Sequence, residues 1–392
     1  MRRYMRLLAT PHLLVPLVAT VIGALPLGMF SLGILFLLRS RTGSLADAGL
    51  GTGTFTIGNA VGLCAQGWLI ERFGQTVVLM FTAPACAAWT VVLVLVSPTA
   101  GSIALALTAC AGVGLVFPAT IGSMRVLLGE LVAEAADRAA SYALLAVLFQ
   151  LALLIGPVLA SALLAPLGPG GVVLAAGGVT GTAGVSFALT RASRAWRPLV
   201  SRARMPMRRS TRTLLPLLLI AAGMGISTGI IWVAVPAAAL AHGHAAESGP
   251  LMAMSSTGEI VSGFVIGACS MRLSAGRYML LFLAGDMAAA FFTALVSVHV
   301  SWLFIAMLLS GACIGPIAVA SSTLLDTLAS KSALTRSYTL TVSIGLLGAS
   351  LGSTLGGTIV ESTGYRTAFA VNAFWLGVVL TVALAILRPV IR

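Results

Sequence analysis

The chain has 392 residues, of which 59% are hydrophobic and only 8% charged, with a mean hydropathy of +1.06. A soluble domain carries roughly 25% charged residues, so composition excludes an exterior that faces mainly water. The net charge of +13 would suit nucleic acid, but all 23 basic residues except Lys331 are arginines, set at the ends of apolar runs rather than along a polar face. That placement speaks for membrane orientation and against nucleic acid.

Arg2, Arg3 and Arg6 precede an apolar run from about 12 to 38, too long for the core of a signal peptide and without a small-residue cleavage site after it. We therefore expect an uncleaved first span. Runs long enough to cross ~30 Å of hydrocarbon continue along the chain. They predict twelve helices, at 12–38, 46–70, 76–97, 101–126, 139–164, 170–190, 213–240, 248–270, 278–298, 301–326, 337–360 and 366–388. The stretch from Arg191 to Arg212 holds eight arginines and no acid, and divides six spans from six. The expected units are 1–190, a linker at 191–212, and 213–392. The five cysteines (64, 86, 110, 269 and 313) lie singly inside apolar runs and read as small buried hydrophobes.

The chain repeats itself. Gly58-Asn59-Ala60-Val61 and Gly67…Arg72 return 200 positions on as Gly258-Glu259-Ile260-Val261 and Gly267…Arg272. At an offset of 196, Ser141-Tyr142 matches Ser337-Tyr338, Gly156 matches Gly352 and Gly168 matches Gly364. Such periodicity points to a duplicated architecture. If the arginine-rich linker is cytoplasmic, 20 of the 23 basic residues fall on that side, leaving only Arg39, Arg41 and Arg366 outside. Both termini are then cytoplasmic and the repeats parallel, related by an axis along the membrane normal. The fold class expected is an all-α membrane protein of twelve transmembrane helices in two parallel six-helix repeats.

Between spans two and three, Gly67-Trp68-Leu69-Ile70-Glu71-Arg72-Phe73-Gly74-Gln75-Thr76 resembles the loop signature of the major facilitator superfamily. Glu71 replaces the usual Asp, and Gln75 and Thr76 replace two basic residues. The resemblance, carried across the chain by spans, linker and repeated loop, implies a secondary transporter with the major facilitator fold. It also implies that Gly67, Glu71, Arg72, Gly74, Glu130, Arg138, Arg272, Asp326 and Arg336 form latches at the cytoplasmic mouth. Solvated loop charge, worth about 0–1 kcal/mol per pair, is the plainer alternative. In span five, Ala152, Gly156, Pro157 and Ser161 look like the Gly-Pro motif of the family's exporter branches, and Gly348, Gly352 and Gly356 form a related series in span eleven. Small residues at this spacing let helices approach closely in lipid. Span four departs from the drug-antiporter pattern: Gly112 and Gly114 remain, but its Arg and Gln are gone, and span one carries no acid.

Glu259 falls near the middle of span eight, ~15 Å from either end. An acid at that depth costs on the order of 2.5–3.5 kcal/mol, so it usually faces the bundle interior and serves a pathway. Its repeat partner is the uncharged Asn59, which makes Glu259 the proton-coupling candidate. Asp286 in span nine reads at least as well as a packing residue, and Arg125 as a snorkelling one. By family analogy the cavity is lined by Asn59, Thr108, Phe117, Thr120, Ser123, Gln150, Ser227, Thr228, Trp232, Ser321 and Ser322, each of which alone also reads as packing. No basic residue lies deep in a span, a lining suited to neutral or amphipathic solutes.

His242 and His244 in an external loop make a weak metal signal. There is no phosphate-binding loop and no catalytic constellation, so neither ATP hydrolysis nor enzyme chemistry is expected, and no cofactor. The reading is a monomeric, multi-pass transporter of a bacterial inner membrane whose partners are a small organic solute, protons and the bilayer. Proton-coupled efflux is the first expectation. Import of a sugar-like solute and a non-transporting sensor on the same scaffold are the alternatives.

Overall fold

A computed structural model describes residues 11–96, 103–132, 134–197, 210–268, 274–328 and 334–391, and among them every regular element is helical. In chain order these are α1 (Pro11–Thr42), α2 (Leu45–Phe73), α3 (Gln75–Val96), α4 (Ile103–Leu115), α5 (Thr120–Leu131), α6 (Ala135–Leu189), α7 (Arg191–Ala195), α8 (Ser210–Ala241), α9 (Ser248–Ala268), α10 (Ala275–Val296), α11 (Val300–Leu328), α12 (Leu334–Thr363) and α13 (Tyr365–Ile391). Twelve membrane spans can be traced among the described residues. The first three are α1 to α3, α4 and α5 share the fourth, α6 holds the fifth and sixth, and α8 to α13 are the seventh to twelfth.

Two details depart from the expected spans. The fourth is not continuous: helix stops at Leu115 and restarts at Thr120, around Pro118. Proline lacks an N–H and its ring clashes with the preceding turn, which accounts for the break. The fifth and sixth spans are not separated by a loop either, but meet at Gly168, whose φ of 65° reverses the chain. Among the described residues, nine stretches are long and apolar enough to cross a membrane by themselves, and one of them, Ser141–Leu189, carries two spans. The second and eighth spans fall short because they are rich in Gly, Ser and Thr and carry Glu71 and Glu259. Most of one face of each packs on protein rather than lipid.

The duplication is visible in the backbone. Gly43 and Gly243, 200 positions apart, have φ of 77° and 78°; Gly168 and Gly364, 196 apart, have φ of 65° and 91°. Only glycine enters this region readily, so four turns are specified by sequence. The seams repeat too. Gly156 of the fifth span sits against the carbonyl of Leu25 in the first, and Gly352 of the eleventh against that of Ile226 in the seventh, both too close for a Cβ. Gly114 lies on the Phe55 carbonyl as Gly311 lies on that of Ser255, joining spans two to four and eight to ten. Such small-residue seams are how helices associate where lipid removes the hydrophobic drive.

Each half has its own buried clusters. Phe30, Phe55 and Phe117 centre one, with ring centroids 5.4 and 6.3 Å from Phe30, and Leu283, Leu324 and Leu387 lie in another. Large apolar side chains also cover the outside: Leu95 is 78% exposed, Phe374 76% and Phe81 72%. That surface is intelligible only against hydrocarbon.

Candidate site at the seam between the halves

The two halves touch along two lines, span two on span eleven and span five on span eight. The lines are related by the repeat. At the end that carries Arg39, Arg41 and Arg366, Gly49 approaches the backbone of Ser353 and Gly357, while 200 residues on Gly249 approaches Pro157 and Ser161. Ser161 Oγ accepts a hydrogen bond from the Gly249 N–H at 2.8 Å. Any side chain at Gly49 or Gly249 would drive backbones apart. The external end is closed by main chain on main chain.

Deeper in, the contacts become polar. On one line Gln150 Nε2 donates to a Glu259 carboxylate oxygen at 2.6 Å, and on the other Cys64 Sγ and Ser343 Oγ lie 3.3 Å apart. Toward the arginine-rich end, spans four and ten do not pack against each other among the described residues. Trp68 and Phe73 near that end of span two are about half exposed. Among the described residues the halves are thus in close contact outside and share fewer contacts toward the arginine-rich side.

Gln150 and Glu259 come from different halves, and their hydrogen bond joins the two at mid-membrane. Repeat symmetry places Asn59 opposite Leu346 on the other line, 200 before Glu259 and 196 after Gln150. Asn59 is correspondingly buried with its Oδ1 lacking any hydrogen-bond partner. Asn59 and Glu259 therefore occupy equivalent places with different bonding.

The other expected cavity residues are dispersed. Phe117 is 4% exposed inside the first aromatic core. Thr120, Ser123 and Ser227 are buried, and Thr228 donates to its own helix at Met224. Thr108 is exposed and bonds the Ala104 carbonyl of its own turn. Trp232, Ser321 and Ser322 are half-buried. Asp286, 2% exposed, accepts from Ser310 at 2.7 Å, inside the second half and away from the seam.

The charges expected to latch the arginine-rich mouth are described only in part, and the contacts seen for Arg72 and Glu130 are local. Arg72 lies over the rings of Trp68 and Phe73 at 5.5 and 5.3 Å, and Glu130 accepts from Trp196 Nε1 at 2.9 Å. Both are held within the first half. Arg138 donates to the Val132 carbonyl, Glu71 and Asp326 are exposed, Gly67 has open space around it, and Gly74 ends α2 with φ 87°. Arg272 and the side chain of Arg336 lie outside the described residues, as do Arg2, Arg3, Arg6 and 198–209 of the linker. The external histidines brace loops: His242 lies 3.2 Å from the Ser297 carbonyl and 3.3 Å from the Tyr365 hydroxyl, and His244 pairs with Glu247 at 2.9 Å. No cluster of three potential metal ligands occurs among the described residues.

Two residues of consequence were not expected. Gln66, 2% exposed, spans the break in the fourth span: its amide donates to the carbonyls of Leu115 (3.1 Å) and Phe117 (2.9 Å) and accepts from the Ala119 N–H (3.0 Å). Glu361, at the external end of span eleven, reaches the start of span two. The readable signal for the first was an uncharged amide in a span facing a Pro; the second has none in the sequence.

Comparison with solved structures places this architecture. The crystal structure of the nucleoside transporter NupG superposes with a TM-score of 0.76 at 11% identity, covering 97% of this chain and 100% of that one. This is the major facilitator fold. An auto-inhibited peptide transporter of the POT family follows at TM-score 0.69 and 15% identity (94% and 95% covered), and a bacterial metal transporter at 0.67 and 14% (96% and 98%). The family model described as Major Facilitator Superfamily matches residues 217–391, the second half of the major facilitator fold seen here. No curated protein matches the sequence.

Proposed function

We propose that the chain is a secondary transporter that moves a small organic solute across the membrane by alternating access, coupled to protons at Glu259 and operating as an exporter. The observation that carries the coupling is the Gln150–Glu259 hydrogen bond across the halves. A carboxylate accepts such a bond more strongly than a neutral acid does, since charge-assisted bonds are about twice as strong. Loading a proton on Glu259 therefore loosens the bond at the pivot, which links proton binding to the motion of one half against the other. The external closure seen here is one end of that motion. At the other end the arginine-rich mouth closes, with Glu71, Arg72, Glu130, Arg138, Arg272, Asp326 and Arg336 as the latches this reading assigns to it.

A neutral or amphipathic solute fits best, because one acid and scattered hydroxyls line the region and no basic residue lies deep in a span. The fold likeness to a nucleoside transporter and a peptide transporter agrees with an organic solute. Export rests on the resemblance of the Gly156-Pro157 segment to exporter motifs. The missing arginine and glutamine of span four and the absence of an acid in span one count against the usual antiporter coupling route, and import of a sugar-like solute is the alternative.

Everted membrane vesicles decide between them. With acid inside, an exporter accumulates its solute and Glu259→Gln abolishes that accumulation while leaving the protein in the membrane. Full gradient-driven transport by Glu259→Gln defeats the coupling role, and uptake only with acid outside selects the importer.

A further inference from the structure

The first turn of α2 is capped by a residue of the other half. Ser44 is the N-cap, its Oγ accepting from the Asp47 N–H at 3.1 Å. In an ordinary capping box, an acid three residues on would reach back and complete the cap. Here one oxygen of Glu361, at the end of α12 in the other half, accepts from the Ser44 hydroxyl at 2.9 Å and from the Ala46 N–H at 2.9 Å. The carboxylate thus sits on the positive end of a 29-residue helix, where an anion is favoured. Arg39, at the end of α1, adds an attractive charge. Below this cap the seam is Gly49 on Gly357 and Gly53 on Ser350, packed backbone to backbone, with Cys64 and Ser343 in contact deeper on the same line.

Repeat symmetry shows that the arrangement belongs to one line only. The equivalent of Glu361 is Ala165, and that of Ser44 is His244, so the span-five and span-eight line has no counterpart. There the Ser161–Gly249 bond serves instead. We infer that Glu361 is a releasable clasp: it closes the external face by completing the N-terminal cap of span two in trans, and its release opens the path to the outside. Opening then leaves the α2 N-terminus half-capped and in water, so the closed state is favoured by a carboxylate–amide and a carboxylate–hydroxyl bond and no salt bridge between halves is needed. This rests on the alternating-access reading above, and adds to it the residue that sets the external resting position.

The test uses the full chain, with its five cysteines replaced, in proteoliposomes. Ser350→Cys, whose parent residue is 2% exposed beneath the clasp, reports external opening through its rate of labelling by a membrane-impermeant maleimide. Glu361→Ala should raise that rate about three- to tenfold, since two bonds to an exposed, screened carboxylate are lost. Glu361→Gln, which keeps a carbonyl acceptor without charge, should raise it less. Adding Ser44→Ala to Glu361→Ala should change it little further. A rate in Glu361→Ala equal to or below the parent overturns the clasp. Ala109→Cys, 1% exposed in the first core, checks folding: if it becomes labelled in Glu361→Ala, the Glu361→Gln rate decides, a rise supporting the clasp and no rise refuting it. A parent rate that ignores an imposed pH gradient would count against proton-driven alternation, while leaving the clasp comparison intact.

Discussion

Removing the Gln66 side-chain amide should destabilise the first half out of proportion to its size. In Gln66→Met the side chain keeps its length and apolar contacts, but the Leu115 and Phe117 carbonyls and the Ala119 N–H lose their partner. Each stranded buried group costs about 1–3 kcal/mol, which gives a ceiling near 9. Polar pairs measured inside membrane proteins average about 0.6 kcal/mol each, which gives a floor near 2. The site is too enclosed for easy relaxation: Gly62 packs on the Leu115 backbone and Gly184 on the Pro118 ring. We expect about 2–5 kcal/mol, read as the shift in reversible unfolding in mixed micelles. Pro118→Ala supplies the companion measurement, because restoring an N–H at 118 lets α4 run into α5 and satisfies the same carbonyls internally. In that background Gln66→Met should cost less than half as much. A Gln66→Met protein within about 0.5 kcal/mol of the parent would refute the bridging role, and an unchanged cost in the Pro118→Ala background would refute the link between the break and the amide.

Gly114→Val and Gly311→Val place a branched side chain on the backbones of Phe55 and Ser255; each should cost about 1–3 kcal/mol or more in the same unfolding assay, and similar costs in the two would show the seams equivalent. Phe117→Ala, in a packed aromatic core, should cost about 3–5 kcal/mol, and a solute-affinity change without that loss would return Phe117 to the cavity. Under the proposed latch role, Arg72→Ala should lower solute flux several-fold with normal protein in the membrane; unchanged flux removes it from the latch.

How much of this was readable beforehand follows from what each feature depends on. Span positions and sidedness rest on local composition, and the turn glycines at 43, 168, 243 and 364 rest on a backbone requirement that only glycine meets cheaply. Those are written locally. The break in span four is half-written: Pro118 announces a weak point, yet the eleventh helix passes Pro316 without stopping. What separates the two is a partner 52 residues upstream of Pro118, the Gln66 amide, and pairing across that distance leaves no periodic trace. Glu259 stood out by depth alone, whereas its partner Gln150 was one of many polar residues and became specific only when spans five and eight met. Glu361 was invisible for the same reason: an acid at a helix end beside water reads as solvated until the start of another helix is placed beside it.

The two halves share seams, turns and glycine contacts; the Gly49 and Gly249 contacts both close the external end, but features present in both halves do not by themselves choose a cargo or an ion. Polar bonds that differ between equivalent places include Glu259 with Gln150 against Asn59 with Leu346, Glu361 with Ser44 against Ala165 with His244, and the Gln66-bridged break against the continuous tenth span. The first two lie on the lines where the halves meet. The third lies one helix behind, in the span that the second packs upon. A two-fold axis along the membrane normal relates the halves without exchanging the two faces, so a bond found on one line only, such as Glu361 with Ser44, adds to the closure of one face, and under the proposed mechanism a proton on Glu259 alters the bond at the pivot. Transferring that bond tests this. Asn59→Glu with Leu346→Gln builds a second mid-membrane pair on the other line, and it should hold the halves at two points and slow exchange between states. Exchange at the parent rate would mean that the Gln150–Glu259 bond does not govern the pivot.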